Sequence, residues 1–327
     1  MTRPDVLITR PIMDAPLDRL RERCDATVHE NEFGIPREEL LKVVAGRDAI
    51  VTMLTEKVDA EFLDAAGPQL KIVANHAVGF DNVDLDACTA AGVLATNTPD
   101  VLTDTTADTA FALLMAAARR VGEGERFLRA RTPWIWGPLM MLGQDVHHKT
   151  IGIVGFGRIG QAVARRARGF GMTVLYADAV LLPPEVEAET DARRVGLDEL
   201  LERADAISIH TNLTPETRHL FSTPQFRRMK PTAVLVNTSR GPVVDEEAQA
   251  EALAAGEIVA AGLDVFEREP EVTERLLELD NAVVIPHLGS ATVDTRNAMG
   301  HLAVDNVFAA LDGTPPPTLL NPDAFPG

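Results

Sequence analysis

Short β-branched runs alternate with helical periodicities along the chain, and that alternation sets the architecture. "DVLITR" (Asp5–Arg10) reads as a strand. A helical stretch near Leu17–Arg23 follows, then the strand "ATVHE", a helix from Pro36 and the strand "AIVTM" (Ala49–Met53). After a further helix, "KIVANHAVGFDNVD" is a strand running into a glycine turn, and "VLATNTPD" (Val93–Asp100) ends another strand. A long Ala-rich helix is predicted over Asp104–Val121, with Asp104 and the threonines as start signals. The stretch "TPWIWGPLMMLGQDVHHK" breaks the periodicity and holds both tryptophans, Trp134 and Trp136. Such a segment more often forms an interface or a lid than a solvated loop.

A second alternating series begins at "TIGIVG". Strands are predicted at Ile151–Gly155, Thr173–Asp178, Ala206–His210, Ala233–Thr238, Ala260–Asp264 and Val283–Ile285. A last helix near Thr292–Leu311 leads into the proline-rich "TPPPTLLNPDAFPG". Strands separated by helices of this size specify βαβ units and parallel sheets, here in two α/β domains.

Composition narrows the function. The 327 residues suit about two domains. A net charge of −18 repels phosphate backbones, so no nucleic-acid partner is expected. The longest apolar run, Ala110–Ala118, is far short of the ~20 residues of a membrane span, and "MTRPDVLITR" has no signal-peptide h-region. Two distant cysteines, Cys24 and Cys88, make neither a disulfide framework nor a metal site, and they suit a reducing cytoplasm. His147 and His148 adjoin, but no carboxylate or cysteine cluster supports metal binding there.

"IGIVGFGRIGQAVARRARGF" holds Gly155-x-Gly157-x-x-Gly160 directly after an apolar strand and at the opening of a helix. Gly155 permits a tight turn, Gly157 lets the backbone approach a pyrophosphate, and Gly160 lets helix and strand pack closely. The helix N-terminus, with Arg158 and Ile159 in its first turn, offers N–H groups and positive charge to the phosphates. About 20 residues on, "MTVLYAD" delivers Asp178, placed to accept from ribose hydroxyls and to repel a 2′-phosphate. The following "AVLLPPEVEAETDA" has no Lys or Arg, so NAD is expected over NADP.

Three later segments place polar residues at strand ends, where open α/β sheets bind ligands. They are Arg240 in "AVLVNTSRG", Asp264 and Glu269 in "AAGLDVFEREP", and His287 in "VVIPHLGSA". Hydride transfer between a nicotinamide and a 2-oxo acid needs a cation for the carboxylate, which suits Arg240. It needs an acid for the carbonyl oxygen, which suits His287, and it gains from a carboxylate that orients the imidazole and favours its protonated form, which suits Glu269. Taken singly, each has an ordinary structural explanation: a surface ion pair, one acid among many, a satisfied core histidine.

The segments "VGFGRIGQ", "VNTSRGPVVDEEA", "AGLDVFEREP" and "PHLGSAT", with "VANHAVGFDNVD" and "TNTPDVLTDTTADTAFALLMAAAR" in the first third, resemble the NAD(P)-dependent D-isomer-specific 2-hydroxyacid dehydrogenases. The similarity covers nearly the whole chain and is greatest to the glyoxylate/hydroxypyruvate reductases. It implies a catalytic Arg240, Glu269 and His287, with Asp264 holding the nicotinamide carboxamide and Thr106 and Thr238 along the cofactor. It implies that the amides of Val78 and Gly79 bind the substrate carboxylate together with Arg240. The implied architecture inserts a Rossmann NAD-binding domain, residues 99–286, into a flavodoxin-like substrate domain, residues 1–98 and 287–327. The implied assembly is a homodimer through the cofactor domain, with the Trp134/Trp136 segment as the arm. The activity expected is NADH-dependent reduction of glyoxylate or hydroxypyruvate. Two alternatives stay open: another D-2-hydroxyacid dehydrogenase, of phosphoglycerate or D-lactate type, and a non-catalytic NAD-sensing scaffold. Asn212 stands where many relatives carry proline and is expected to alter the adenine pocket. His76, in the substrate turn, could face the substrate or point into the wall; a lining role is favoured, and it is left out of the chemistry.

Overall fold

The structure, a computed structural model, describes residues 3–325. Met1, Thr2, Pro326 and Gly327, assigned from sequence to the substrate domain, lie outside the described residues. The chain forms two compact units. One takes the chain up to Leu102 and again from Ala291, and the other is Thr103–Ser290. Both joints fall four residues later than the sequence suggested. At the second joint the reason is visible: His287 N donates to Asp264 O at 2.9 Å, and Gly289 N to the Asp264 carboxylate at 2.7 Å. His287 therefore belongs to the second unit rather than to the returning segment.

The first unit is built on five parallel strands: β1 (Asp5–Ile8), β2 (Asp25–Val28), β3 (Ala49–Thr52), β4 (Ile72–Asn75) and β5 (Leu94–Thr96). Their order is β2-β1-β3-β4-β5, the flavodoxin-like arrangement. Alternation along β1 sends Val6 and Ile8 to one face and Leu7 to the other. On the first face, α1 (Asp14–Arg23) and the final helix Val293–Leu311 close a core with Leu20, Val304 and Val307. On the second, α2 (Arg37–Val43), α3 (Ala60–Ala66) and α4 (Leu85–Ala90) contribute Leu40, Phe62 and Cys88. The proline-rich tail seals the open edge of β5. Leu320 N donates to Ala95 O at 2.8 Å, and the Asn321 side chain accepts from Ala95 N at 2.8 Å.

The second unit has seven parallel strands: β6 (Thr150–Val154), β7 (Thr173–Ala177), β8 (Ala192–Arg194), β9 (Ala206–Ile209), β10 (Val234–Asn237), β11 (Ala260–Leu263) and β12 (Ala282–Val284). The order β12-β11-β10-β9-β6-β7-β8 is that of a doubly wound dinucleotide-binding sheet, which reverses direction between β6 and β9. Eight helices belong to it: α5 (Thr103–Ala118), α6 (Val121–Arg129), α7 (Arg158–Gly169), α8 (Pro184–Thr190), α9 (Leu197–Arg203), α10 (Thr223–Arg228), α11 (Glu246–Ala255) and α12 (Glu274–Glu278). α5 and α7 pack one face around Leu113, Ile153 and Val163, while α9–α11 pack the other around Leu200, Phe226 and Leu253.

Two expectations needed correction. The Ala-rich helix stops at Ala118 because Arg120 takes a left-handed φ of 54°, after which α6 restarts. β8, only "ARR", was not anticipated, being too short and polar to carry a period.

Candidate active site

The glycine turn after β6 has the geometry that its spacing implied. Gly155 has φ +87°, and a Cβ there would lie 2.6 Å from the His210 carbonyl carbon, so no other residue fits. At Gly160 a Cβ would lie 2.3 Å from Gly155 O, which fixes how closely α7 approaches β6. Apart from its own chain neighbours, no atom of the described residues lies within 4 Å of a Cβ placed on Gly157 at the α7 N-terminus. The space beside it fits a pyrophosphate, and Arg158 and Ile159 begin the helix there. Asp178, just past β7, accepts from Phe156 N at 2.6 Å and from Val180 N at 2.8 Å, tying the turn to the acid that would meet a ribose. A carboxylate retains acceptor capacity beyond two bonds. Thr238 is buried at the end of β10, and its Oγ1 has no partner. An orphaned buried hydroxyl of this kind also fits a group supplied by a cofactor.

Past the carboxyl ends of β10, β11 and β12, on the same edge of the parallel sheet as the glycine turn, the side chains of Arg240, Glu269 and His287 come together. His287 Nδ1 lies 2.9 Å from Glu269 Oε2, and each side chain is 29% exposed, enough to meet a substrate. Glu269 Oε1 accepts from Phe266 N at 3.0 Å. Burial alone would raise the Glu269 carboxyl. The His287 bond and charge, the Phe266 N–H and the charge of Arg240 outweigh it and hold the group below its usual range. Arg240 follows β10, its carbonyl tied to Asn237 Nδ2 at 3.0 Å and its guanidinium to Ser239 O at 2.8 Å. Gly241 makes the close placement possible, since a Cβ there would lie 1.9 Å from the Phe266 carbonyl carbon and oxygen.

His287 has a left-handed φ of 53°, a conformation that costs a non-glycine residue about 1 kcal/mol or more. Asp264 holds it there. The Asp264 carbonyl accepts from His287 N, and its carboxylate accepts from the N–H groups of Leu288 and Gly289. The carboxylate is 1% exposed, and burial raises its pKa above the ordinary value against the lowering pull of those bonds. Thr106, buried in α5, lies beside Gly289: a Cβ on that glycine would be 3.4 Å from the Thr106 methyl and 3.0 Å from the Asp264 carboxylate. Asp264 was expected from the resemblance to hold a carboxamide; the geometry adds that it organises the segment carrying His287.

In the first unit, the turn at Val78 and Gly79 follows β4. Ala77 O accepts from Thr98 N at 2.8 Å, Val78 O from Asn97 Nδ2 at 2.8 Å, and Gly79 O from Asn75 Nδ2 at 3.0 Å. A trans peptide points its N–H away from its carbonyl, so these bonds aim the Val78 and Gly79 N–H groups away from Thr98 and Asn97. Of its two open orientations, His76 takes the wall-facing one rather than the favoured lining one. Its ring is buried, 6% exposed, with neither nitrogen hydrogen-bonded, and it points into the wall beside Gly300. Burial first, and the Arg296 charge second, push it down to about 4, so the ring is neutral near pH 7.

Two residues near the site were not legible in the sequence. Arg194 in β8 donates to Asp178 O at 2.8 Å, so a cation does stand beside the acid at the end of β7, although the residues directly after that strand carry none. Only the pairing of β8 with β7 reveals it. Glu246, at the start of α11, is hydrogen-bonded to the backbone of the Glu269 segment. Among the described residues, no three His, Cys, Asp or Glu gather as a metal site, and no helix is long and apolar enough to cross a membrane. Asn212 is exposed, its carbonyl accepting from Thr217 at 2.6 Å.

Comparison with known proteins agrees with this geometry. The model of the family "D-isomer specific 2-hydroxyacid dehydrogenase, NAD binding domain" matches residues 111–289. A glyoxylate reductase of Thermococcus onnurineus is 52% identical over 98% of this chain and 96% of its own length. A solved protein of Thermus thermophilus superposes with a TM-score of 0.91 at 44% identity, covering 97% of this chain and 99% of that one. An NADPH-dependent glyoxylate/hydroxypyruvate reductase of Sinorhizobium meliloti, solved with NADP and malonate, gives 0.84 at 33% identity, covering 100% and 99%. With a dinucleotide-binding sheet and an Arg, Glu and His gathered at its strand ends, the chain belongs to the D-isomer-specific 2-hydroxyacid dehydrogenases and is an oxidoreductase of that family.

Proposed function

We propose that this enzyme reduces glyoxylate or hydroxypyruvate to the D-2-hydroxy acid, with His287 as proton donor. The observation that carries the reading is the Glu269–His287 contact of 2.9 Å within reach of the Arg240 charge. Glu269 engages Nδ1, which leaves Nε2 to deliver a proton to the carbonyl oxygen. The Arg240 guanidinium suits the substrate carboxylate, and in the first unit we assign the N–H groups of Val78 and Gly79 to substrate binding. Bound at the α7 N-terminus, a reduced nicotinamide cofactor supplies the hydride. Gly155, Gly157, Arg158, Ile159, Gly160, Asp178, Thr238, Asp264 and Thr106 are the residues we assign to holding it.

NADH is our preferred cofactor because the Asp178 carboxylate opposes a 2′-phosphate. Arg194 tempers that preference, and a relative that is NADPH-dependent makes the comparison necessary. We assign a homodimer to the exposed apolar arm, where Trp134, Ile135, Trp136 and Leu139 are 58–87% exposed, too much apolar surface to leave in water. Both cysteines are buried and unpaired, which suits a reducing, cytoplasmic setting.

The test is initial-rate oxidation of NADH and NADPH with glyoxylate, hydroxypyruvate, pyruvate and 3-phosphohydroxypyruvate. The reading expects the first two acids to give the highest kcat/KM, with NADH favoured. Binding of NADH without turnover of any 2-oxo acid would overturn it in favour of a sensing scaffold.

A further inference from the structure

Glu246 opens α11 and is 6% exposed. A carboxylate buried to that degree is costly unless its oxygens are hydrogen-bonded. Here Oε2 accepts from Glu267 N and Oε1 from Thr273 N, each at 2.7 Å. These donors are the two ends of the segment 267–273, and Glu269 lies between them. α11 is itself anchored. Asp245 caps it by accepting from Ala248 N at 3.1 Å, and Ala250, Ala252 and Leu253 are in the core. The segment bearing Glu269 therefore hangs from a fixed helix by two charge-assisted bonds.

We propose that Glu246 is a positioning residue, clamping both ends of segment 267–273 so that the Glu269 carboxylate meets His287 Nδ1. The inference rests on the assignment of Glu269 and His287 given above. A carboxylate is required because two N–H donors converge on it. A glutamine offers one acceptor oxygen and turns an NH₂ group towards the other donor.

The experiment compares wild type, Glu246→Gln, Glu269→Gln and the double variant with NADH and glyoxylate, together with NADH titration by fluorescence. A misplaced catalytic group costs about 10- to 100-fold, so Glu246→Gln is expected to lower kcat within that range and leave NADH affinity unchanged. If Glu246 acts through Glu269, the double variant is no slower than Glu269→Gln alone. Losses that multiply in the double variant would overturn the proposal, as would an unchanged kcat in Glu246→Gln. Thr273→Pro is a second route that leaves Glu246 intact. Thr273 has φ −54°, which proline accepts, and the change removes one of the two donors. It should reproduce a kcat loss at unchanged NADH affinity; wild-type kcat would count against the clamp. Full activity in Glu269→Gln would instead defeat the underlying assignment of Glu269, whatever the Glu246 variants do.

Discussion

The buried ring of His76 makes a quantitative prediction about acid stability. In the unfolded chain an imidazole takes up a proton as pH falls through 6.5; in the folded unit it resists until about 4. Between those values the unfolded state binds more protons, so stability falls as pH falls, and it levels off below the lower value. At about pH 4.5 the unfolded ring is favoured in its charged form roughly 100-fold while the folded ring is largely neutral, a difference of about 2.5 kcal/mol. Replacing the ring with leucine removes this contribution and also removes two unpartnered buried nitrogens. His76→Leu should therefore be no less stable than wild type near pH 7 and more stable by about 2.5 kcal/mol at about pH 4.5, relative to its own neutral-pH difference. Urea unfolding followed by circular dichroism at the two pH values measures this. Other acid-sensitive groups act in both proteins and cancel. They include His210, pushed down to about 3 by burial, and Asp59, held at about 2 against its burial by bonds to Arg37, Phe62 N and Lys57. Parallel pH dependences in the two proteins would refute the reasoning, because they would mean that His76 is solvated or partnered in the folded state.

Two further outcomes test the site piece by piece. Gly241→Ala places a methyl 1.9 Å from the Phe266 backbone, so the Arg240 and Glu269 segments must separate. Its kcat/KM for glyoxylate should fall about 100-fold or more while NADH still binds; retained activity would show that the close approach is not needed. Asp178→Ala removes the acceptor for Phe156 N and Val180 N along with the negative charge. NADH affinity should fall and the NADPH-to-NADH affinity ratio rise, read by fluorescence titration. An unchanged ratio would move cofactor selection elsewhere.

What could be read from the sequence follows from how local each signal is. The glycine fingerprint lies within one β-turn-α unit, so its spacing alone located the α7 N-terminus. The strand-end residues Arg240, Glu269 and His287 could be named because each follows an apolar run. That Glu269 rather than a neighbouring acid meets His287 came from the family resemblance and not from any local pattern, because residues 18 positions apart meet only after β11 and β12 pair. Arg194 was missed because its strand has no period of its own and is defined by pairing with Tyr176. The supports of the Val78–Gly79 turn, Asn75 at the end of β4 and Asn97 just past β5, give no local signature. The orientation of His76 stayed open because its position after a strand suits a ligand-facing and a wall-facing ring equally. The orientation was decided by the packing of the final helix, which begins more than 200 residues later.

The central claim is that the Glu269–His287 pair delivers the proton. Single-turnover oxidation of NADH by glyoxylate in His287→Asn, beside a separate NADH titration, tests it most directly. The account predicts a loss of about 100- to 10,000-fold in the rate of turnover with NADH affinity preserved. A turnover rate close to wild type in that variant would contradict it.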